Sequence, residues 1–247
     1  RAETAERLGS SHYHCGVRDT GTGHIHPLKL LIGLAGAAQA AGAELYEMTK
    51  VTRLRQAGGK TILETARGSV SADRVLLATN AHVDKLEPVT AAHVMPIGSF
   101  IAATEPLDDH PRVLSGGEAV ADSRFVVRYF RKTRDNRLLF GGREVYSSKN
   151  PANFIREQIV ETYPELKTVC ITHAWGGYVG ITMSRHPFVR EVMPGVTSIG
   201  GYSGHGVMLS NYCGKLYADR IAGAAPELDG LEALDVRGFP GGRRFRD

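Results

Sequence analysis

The chain has 247 residues, of which 42% are hydrophobic and 23% charged, proportions that are ordinary for a globular protein. No apolar run reaches the roughly 20 residues that a membrane-spanning helix needs, so we expect no membrane span. The net charge is +4, and Lys and Arg are mostly scattered, apart from 128–137 and the tail at 243–246. This distribution favours a solvated surface over a nucleic-acid partner.

The three cysteines, Cys15, Cys170 and Cys213, are odd in number and far apart along the chain. That spacing argues against a disulfide framework and for a reducing compartment, so we expect a cytoplasmic protein. The chain begins at Arg1 with neither a secretory signal nor an initiator Met. We therefore expect a fragment or a processed chain.

The first third of the chain mixes helices and strands. Pro27, at a first helical position, opens a helix that runs to about Ala41, where Gly42 stops it. Strands separated by turn residues are predicted at 13–18, 43–47, 50–55, 61–65, 68–71 and 74–78. The last of these is continuously apolar over 75–78, which is typical of a central parallel strand. The loop at 79–81 follows its C-terminal end, where α/β sheets bind ligands.

The character of the chain changes near Pro88. Polar and apolar residues then alternate over 93–104 and 124–141, as they do in antiparallel strands. An amphipathic helix is predicted at 151–163, and a long strand at 169–181 carries Trp175, the single tryptophan. The strands predicted at 187–192 and 196–200 are again typical of an α/β domain. We therefore predict a discontinuous α/β domain, 1–87 with 183–247, and an inserted antiparallel α+β domain, 88–182.

A glycine-rich turn at 200–206 connects the apolar strand at 196–199 to a helix-compatible segment at 210–221. Glycines allow the backbone to approach a ligand closely, and a helix N-terminus offers free N–H groups and the positive end of its dipole. The turn thus predicts a site for an anionic or electron-rich group. A tight strand-to-helix turn without a ligand is the alternative.

Five patterns occur in a fixed order along the chain. They are Gly-His-Ile-His-Pro at 23–27, Ala-Asp-Arg-Val-Leu-Leu-Ala-Thr-Asn-Ala at 72–81, Tyr-Phe-Arg at 129–131 with 136–142, Trp-Gly-Gly-Tyr at 175–178 with Thr182 and Pro187, and Gly-Tyr-Ser-Gly-His-Gly at 201–206. In this order they resemble the FAD-dependent D-amino-acid oxidase/glycine oxidase/sarcosine oxidase superfamily, most closely its γ-glutamylputrescine oxidoreductase-like branch. The resemblance implies a discontinuous FAD-binding Rossmann-like domain with an inserted antiparallel-sheet substrate domain.

The chain departs from this superfamily in one large respect. Such enzymes begin with a strand–GxGxxG–helix unit for the FAD pyrophosphate. Here the segment 21–26 has two glycines but places His26 where the third belongs, so it is interpreted as a turn. We expect the C-terminal two-thirds of a longer enzyme, with an incomplete FAD-binding domain whose missing N-terminal part belongs to the same longer chain or to a separate one. A homodimer that covers the exposed strands is the alternative.

The resemblance also implies which residues contact the cofactor. Val51 resembles the position whose backbone contacts adenine, and Ala78, Thr79 and Asn80 resemble the loop under the ribose and phosphates. Trp175 and Gly176 lie on the strand beside the flavin. The loop against the pyrimidine edge of the flavin comprises Gly201, Tyr202, Ser203, Gly204, His205, Gly206, Val207 and Met208. Ordinary strand packing for Val51, core packing for Trp175 and helix capping for His205 are the alternatives.

The expected cofactor is FAD held non-covalently, because Gly177 aligns with the Cys that carries FAD in sarcosine oxidases. Val179 takes the place of the Arg that binds the carboxylate in amino-acid oxidases, which favours an amine or a longer substrate. Tyr129 and Arg131 either face the substrate cavity or serve packing. The implied reaction is hydride transfer from a neutral amine to the flavin, followed by imine hydrolysis, with O₂ or another acceptor reoxidising the flavin. We name no catalytic base.

Two other interpretations stay open. A His- and Cys-rich stretch suggests a zinc or iron site, although its spacing matches no recognised ligand pattern; its members are His12, His14, Cys15, His24 and His26. The other is a cofactor-less fragment or subunit that acts as an interaction module. An exposed apolar face on the α/β half is the expected sign of it.

Overall fold

This computed structural model describes residues 1–144, 151–224 and 227–242, so the basic tail at 243–246 lies outside the described residues. The chain divides into two compact units. The first comprises Arg1–Ile25 and Gly98–Gly177, and the second comprises His26–Ile97 and Tyr178–Asp247. The predicted assignment of an FAD-binding domain to 1–87 with 183–247, and of a substrate domain to 88–182, stays a prediction.

The elements mix helices with largely antiparallel sheets, so the predicted α/β plus α+β class is confirmed. In chain order the helices are α1 (Ala2–Leu8), α2 (Pro27–Ala40), α3 (Pro88–His93), α4 (Pro151–Thr162), α5 (Gly206–Ile221) and α6 (Glu227–Glu232). The strands are β1 (Val51–Ala57), β2 (Lys60–Thr65), β3 (Gly68–Ala72), β4 (Val75–Leu77), β5 (Met95–Pro106), β6 (Val120–Ala121), β7 (Tyr129–Lys132), β8 (Arg137–Glu144), β9 (Ile171–Ile181), β10 (Phe188–Met193) and β11 (Val196–Gly200).

The first unit is built on a five-stranded sheet in the order β6-β7-β8-β5-β9. Phe130 of β7 and Phe140 of β8 stack at 4.9 Å between ring centroids, and the ring of Tyr163 meets Phe130 edge-on at 5.9 Å. The hydroxyl of Tyr163 donates to the carbonyl of Leu8 at 2.9 Å, and burial raises the pKa of this phenol. Leu8 belongs to the same buried cluster, which explains why the first 25 residues group with this unit.

The second unit contains two three-stranded sheets. The meander β1-β2-β3 is antiparallel, as predicted, and the other sheet has the order β10-β11-β4. Its strand β11 runs parallel to β4, with Val196 opposite Val75 and Ser198 opposite Leu77. Every residue of β11 is buried, which follows from its cover by apolar side chains on both faces. The parallel strand predicted at 74–78 is confirmed over 75–77, but β4 lies at the edge of this sheet, so its predicted central position is wrong for the described strands.

Two predicted strands are wrong. Residues 13–18 and 43–47 form no strand, and 43–47 is exposed along its whole length. A strand needs a neighbouring strand for its N–H and C=O groups, and in the described sheets neither segment is paired with one. Helix α2, which precedes 43–47, has no buried residue, and Leu28, Leu31 and Ile32 are 57%, 63% and 62% exposed. Most helices of globular proteins bury their apolar face against the core, whereas α2 leaves its apolar side chains exposed.

Within the described ranges, no helix is both long and apolar enough to cross a membrane.

Candidate functional site

The glycine-rich turn of the second unit ends at an open helix N-terminus. Gly201 and Ser203 have positive φ of 67° and 50°, and α5 begins at Gly206. Leu209 donates to the His205 carbonyl at 3.1 Å, which is the first intrahelical bond. The N–H groups of Gly206, Val207 and Met208 precede that bond and are left for a ligand or water. The N–H of His205 instead donates to the carbonyl of Tyr202 at 2.9 Å, so it is not one of the free donors.

The side chains of the turn divide into buried and exposed groups. Tyr202 and Ser203 are buried, and the Tyr202 ring belongs to an apolar cluster with Ile199 and Cys213. Burial raises the pKa of Tyr202 to about 12. His205 and Met208 are exposed, as are Gly204 and Val207. The His205 side chain makes no capping hydrogen bond, so the structure does not support the capping alternative.

The loop that follows β4 contains an unsatisfied hydroxyl. Thr79 Oγ1 is buried and has no hydrogen-bond partner among the described atoms, while Ala78 beside it is exposed. A buried polar atom without a hydrogen-bond partner destabilises the folded state, and a ligand that accepts a hydrogen bond from this hydroxyl would remove that cost in free energy. Asn80, unlike Thr79, has a hydrogen-bond partner, because its side-chain oxygen accepts the N–H of Gly201 at 2.8 Å. Thr79 and the start of α5 therefore have unused hydrogen-bond donors of the kind that a nucleotide cofactor needs, and their contact with FAD stays a prediction.

Val51 is the first residue of β1 and is half-buried opposite Thr65 of β2. Its position at the strand end leaves its backbone at the margin of the meander. Neither the adenine contact nor the ordinary strand role is decided by this placement, and the adenine contact stays a prediction.

In the first unit, the three side chains predicted beside flavin and substrate share one face of the sheet. Phe130 packs into the core under α4, so its neighbours Tyr129 and Arg131 point to the opposite face. On β9, a side chain at Gly176 would point at Phe100, whose ring packs against Phe154 of α4. Trp175, 47% exposed, therefore projects from the same open face as Tyr129 and Arg131.

Tyr129 is held in place on this open face. Its ring lies over Gly141, where an added Cβ would be 2.5 Å from ring atoms, and its hydroxyl is 3.0 Å from Ser99 Oγ. The Arg131 guanidinium donates only to backbone carbonyls, at 3.4 Å to Ile25 and 3.3 Å to Lys132. Throughout the described ranges no carboxylate lies within ion-pair distance of Arg131. Among the residues that the structure describes, no acidic side chain compensates the charge of Arg131.

The two glycines on β9 differ in what surrounds them. The space over Gly176 is filled by the ring of Phe100, whereas nothing lies within 4 Å of a Cβ placed on Gly177. Gly177 is therefore the position that stays open to a ring from outside the unit. Ser99 and Phe100 are not among the residues predicted from the sequence, in which only the alternation along β5 indicates that they lie on opposite faces.

Three of the four histidines of the suspected metal site have other partners. His12 contacts Arg124 at 3.1 Å, and His24 lies 3.2 Å from the carbonyl of Gly117. His26 accepts the N–H of Lys29 at 3.4 Å as the N-cap of α2. Within the part of the chain that the structure describes, no three potential ligands are grouped around a common point. The geometry therefore gives the metal alternative no support.

Solved structures share this fold. Glycine oxidase from Geobacillus kaustophilus matches with a TM-score of 0.72 and 23% identity, covering 85% of this chain and 58% of that chain. L-proline dehydrogenase from P. horikoshii matches with a TM-score of 0.68 and 20% identity, covering 81% of this chain and 56% of that chain. Identities this low show the fold alone.

The family described as FAD dependent oxidoreductase (DAO) matches residues 1–220. The chain belongs to this family. It is 64% identical to "Probable oxidoreductase OrdL" of Rhizobium meliloti (strain 1021), over 100% of this chain and 58% of the relative. It is 36% identical to "Gamma-glutamylputrescine oxidoreductase" of Escherichia coli (strain K12), over 97% of this chain and 57% of the relative. The chain thus spans somewhat more than half the length of these relatives.

Proposed function

We propose that this chain is the larger part of a flavin-dependent oxidoreductase that holds FAD non-covalently and oxidises the C–N bond of an amine. The observation that carries the proposal is the start of α5, where Gly206, Val207 and Met208 offer free N–H groups after a buried strand. Family membership supplies the identity of the cofactor. Bound FAD would accept a hydride from the carbon next to the amine nitrogen.

The residues of the chain would contribute position and electrostatics. The N–H groups and the positive dipole end at the start of α5 would stabilise the negative charge that a bound flavin gains on reduction. Of the two nearest cysteines in sequence, Cys170 is exposed and Cys213 is buried among apolar side chains, where burial raises its pKa. Neither lies at the family position for attachment, which Gly177 occupies, so the proposed FAD is non-covalent.

For the substrate we propose an amine with a distant carboxylate, of the γ-glutamylputrescine kind. Val179, half-buried on β9, replaces the Arg that the family uses against an α-carboxylate. Arg131, on the open sheet face with Tyr129, has a guanidinium without an acidic partner in the described part of the chain. A guanidinium binds a carboxylate with charge-assisted hydrogen bonds. The name of the E. coli relative is consistent with such a substrate.

A second proposal concerns what completes the protein. The exposed face of α2, with Leu28, Leu31 and Ile32, leaves more apolar surface in water than one amphipathic helix normally does. We propose that a nucleotide-binding segment, equivalent to the part of the relatives outside the match, covers this face. A second copy of the chain is the alternative partner for this face. A dimer that light scattering still detects when the nucleotide-binding segment is present would favour that alternative.

The substrate proposal is tested by anaerobic mixing of the flavin-loaded protein with four amines: γ-glutamylputrescine, putrescine, sarcosine and glycine. We expect γ-glutamylputrescine to bleach the flavin absorption fastest, because it alone joins a primary amine to a distant carboxylate. Faster bleaching by glycine or sarcosine would overturn the substrate class while leaving the oxidoreductase proposal intact. Readmitting air and measuring peroxide then distinguishes O₂ from another electron acceptor.

A further inference from the structure

Asn80 connects the end of one strand to the turn that follows another. It lies just after β4 with a positive φ of 47°, an uncommon conformation for a residue with a side chain. Its Oδ1 accepts the N–H of Gly201 at 2.8 Å, although 121 residues separate the two. The bond joins the loop after β4 to the turn after β11, and both strands belong to the same sheet.

The neighbouring backbone leaves room for this one side chain. A Cβ on Gly180 of β9 would overlap Asn80 Oδ1, and a Cβ on Gly200 would lie 3.0 Å from the Asn80 Cα and 3.3 Å from its Oδ1. The absence of side chains at these two glycines is therefore explained by the position of Asn80.

The far side of the turn is fixed by Ser203. Its N–H donates to the carbonyl of Gly180 at 2.9 Å, and its hydroxyl accepts the N–H of Thr182 at 3.2 Å. The bond from Asn80 fixes the start of the turn at Gly201, and the bonds of Ser203 fix its middle. Hydrogen bonds at these two positions therefore set the direction in which the chain enters α5. The N–H groups of Gly206, Val207 and Met208 follow three residues after Ser203.

We propose that Asn80 is a positioning residue that sets the direction of the free N–H groups at the start of α5 through its bond to Gly201. The inference rests on the proposed function, in which those N–H groups face the flavin. From the resemblance, Asn80 is expected to contact the cofactor. In the present proposal its side-chain oxygen acts through the turn and does not contact the cofactor. Asparagine suits the position because it tolerates positive φ and carries an acceptor.

Three variants separate the backbone from the side chain. Asn80→Asp keeps an acceptor of the same shape, Asn80→Gly keeps the freedom for positive φ but loses the acceptor, and Asn80→Ala loses both. Amide hydrogen exchange and ¹⁵N chemical shifts of the purified chain report on Gly201 and on 206–208 without any cofactor. We expect exchange at Gly201 to rise about tenfold in Asn80→Gly and Asn80→Ala, with shifted 206–208 resonances, and Asn80→Asp to restore both.

The FAD dissociation constant is the second measurement. We expect it to rise about tenfold in Asn80→Gly while the far-UV spectrum of the chain stays unchanged. Unchanged exchange at Gly201 in Asn80→Gly would overturn the bond, and unchanged 206–208 resonances would overturn the positioning role. If the wild-type protein binds no FAD under any condition, the proposed function fails, but the amide measurements still decide the role of Asn80.

Discussion

The ring of Phe100 lies over Gly176 on the neighbouring strand, so closely that a Cβ on Gly176 would be 2.5 Å from the ring atom Cδ1. The ring of Phe100 also meets Phe154 edge-on at 5.8 Å between centroids, which ties this pair to the core under α4. A glycine that the sequence offers as an approach for the flavin is thus used for packing within the first unit. The adjacent Gly177 keeps the open side.

This arrangement predicts that alanine destabilises the protein at position 176 but not at the adjacent position 177. Gly176→Ala should lower the free energy of unfolding by about 1–3 kcal/mol, because the Phe100 ring has to move. Gly177→Ala, with nothing within 4 Å of its Cβ, should leave stability within about 0.5 kcal/mol. Urea denaturation of both variants measures this. Equal destabilisation by the two would contradict the packing described.

Stability of the turn depends on Gly201. An alanine there would adopt φ of 67° and place its Cβ 2.5 Å from Thr182 Cγ2, so we expect a loss of about 2–4 kcal/mol. Gly214→Ala, within α5 and in open space, is the matched control and should gain up to about 1 kcal/mol from helix propensity. Chemical denaturation provides both values. A tolerated Gly201→Ala would mean that the turn is looser than described.

Arg131 should determine affinity for the distant carboxylate of the substrate. In the flavin-loaded protein, Arg131→Met is expected to raise KM for γ-glutamylputrescine about 10–100-fold, because a hydrogen bond to a charged group is lost. The KM for putrescine, which has no carboxylate, should change little. The control is Lys132→Met, since alternation directs Lys132 to the other face of β7. Equal effects on both amines would remove Arg131 from the binding site.

The buried phenol of Tyr202 predicts a loss of stability in alkali. Its pKa is raised to about 12 in the folded chain, so the folded state holds its proton more tightly than the unfolded state. The protonated phenol contributes fully to stability below a pH of about 10, and this contribution is lost as the pH rises toward 12. At pH 11 the loss in the free energy of unfolding is about 1 kcal/mol. Tyr202→Phe should reduce this loss. The exposed Tyr212, changed to Phe, should leave the loss intact, and the opposite ranking in denaturation at pH 8 and pH 11 would refute the assignment.

The sequence predicted the elements whose patterns are local. The continuous apolar run at 75–77 and the glycine turn before α5 were both recognisable, because burial on two faces and a strand-to-helix turn have local signatures. The segment 43–47 has the pattern of a strand but no described neighbour to pair with, and a pattern cannot supply a partner.

Roles that depend on distant contacts were beyond the sequence. Asn80 was predicted to touch the cofactor, and only the structure places its side-chain oxygen on Gly201. Gly176 was singled out over Gly177, since nothing in the sequence indicates where the ring of Phe100 lies. An exposed apolar face on the α/β half is the predicted sign of a cofactor-less fragment or interaction module, and α2 does expose Leu31 and Ile32.

We propose that residues of this chain hold a flavin at the start of α5, and a visible absorption spectrum recorded after FAD addition and desalting shows whether a flavin is bound. The measurement is made on the chain alone and on the chain co-expressed with the part of the R. meliloti relative that lies outside the match. We expect bands near 375 and 450 nm, the approximate positions for oxidised flavin, to persist in at least the second sample. Their absence from both samples would contradict the account.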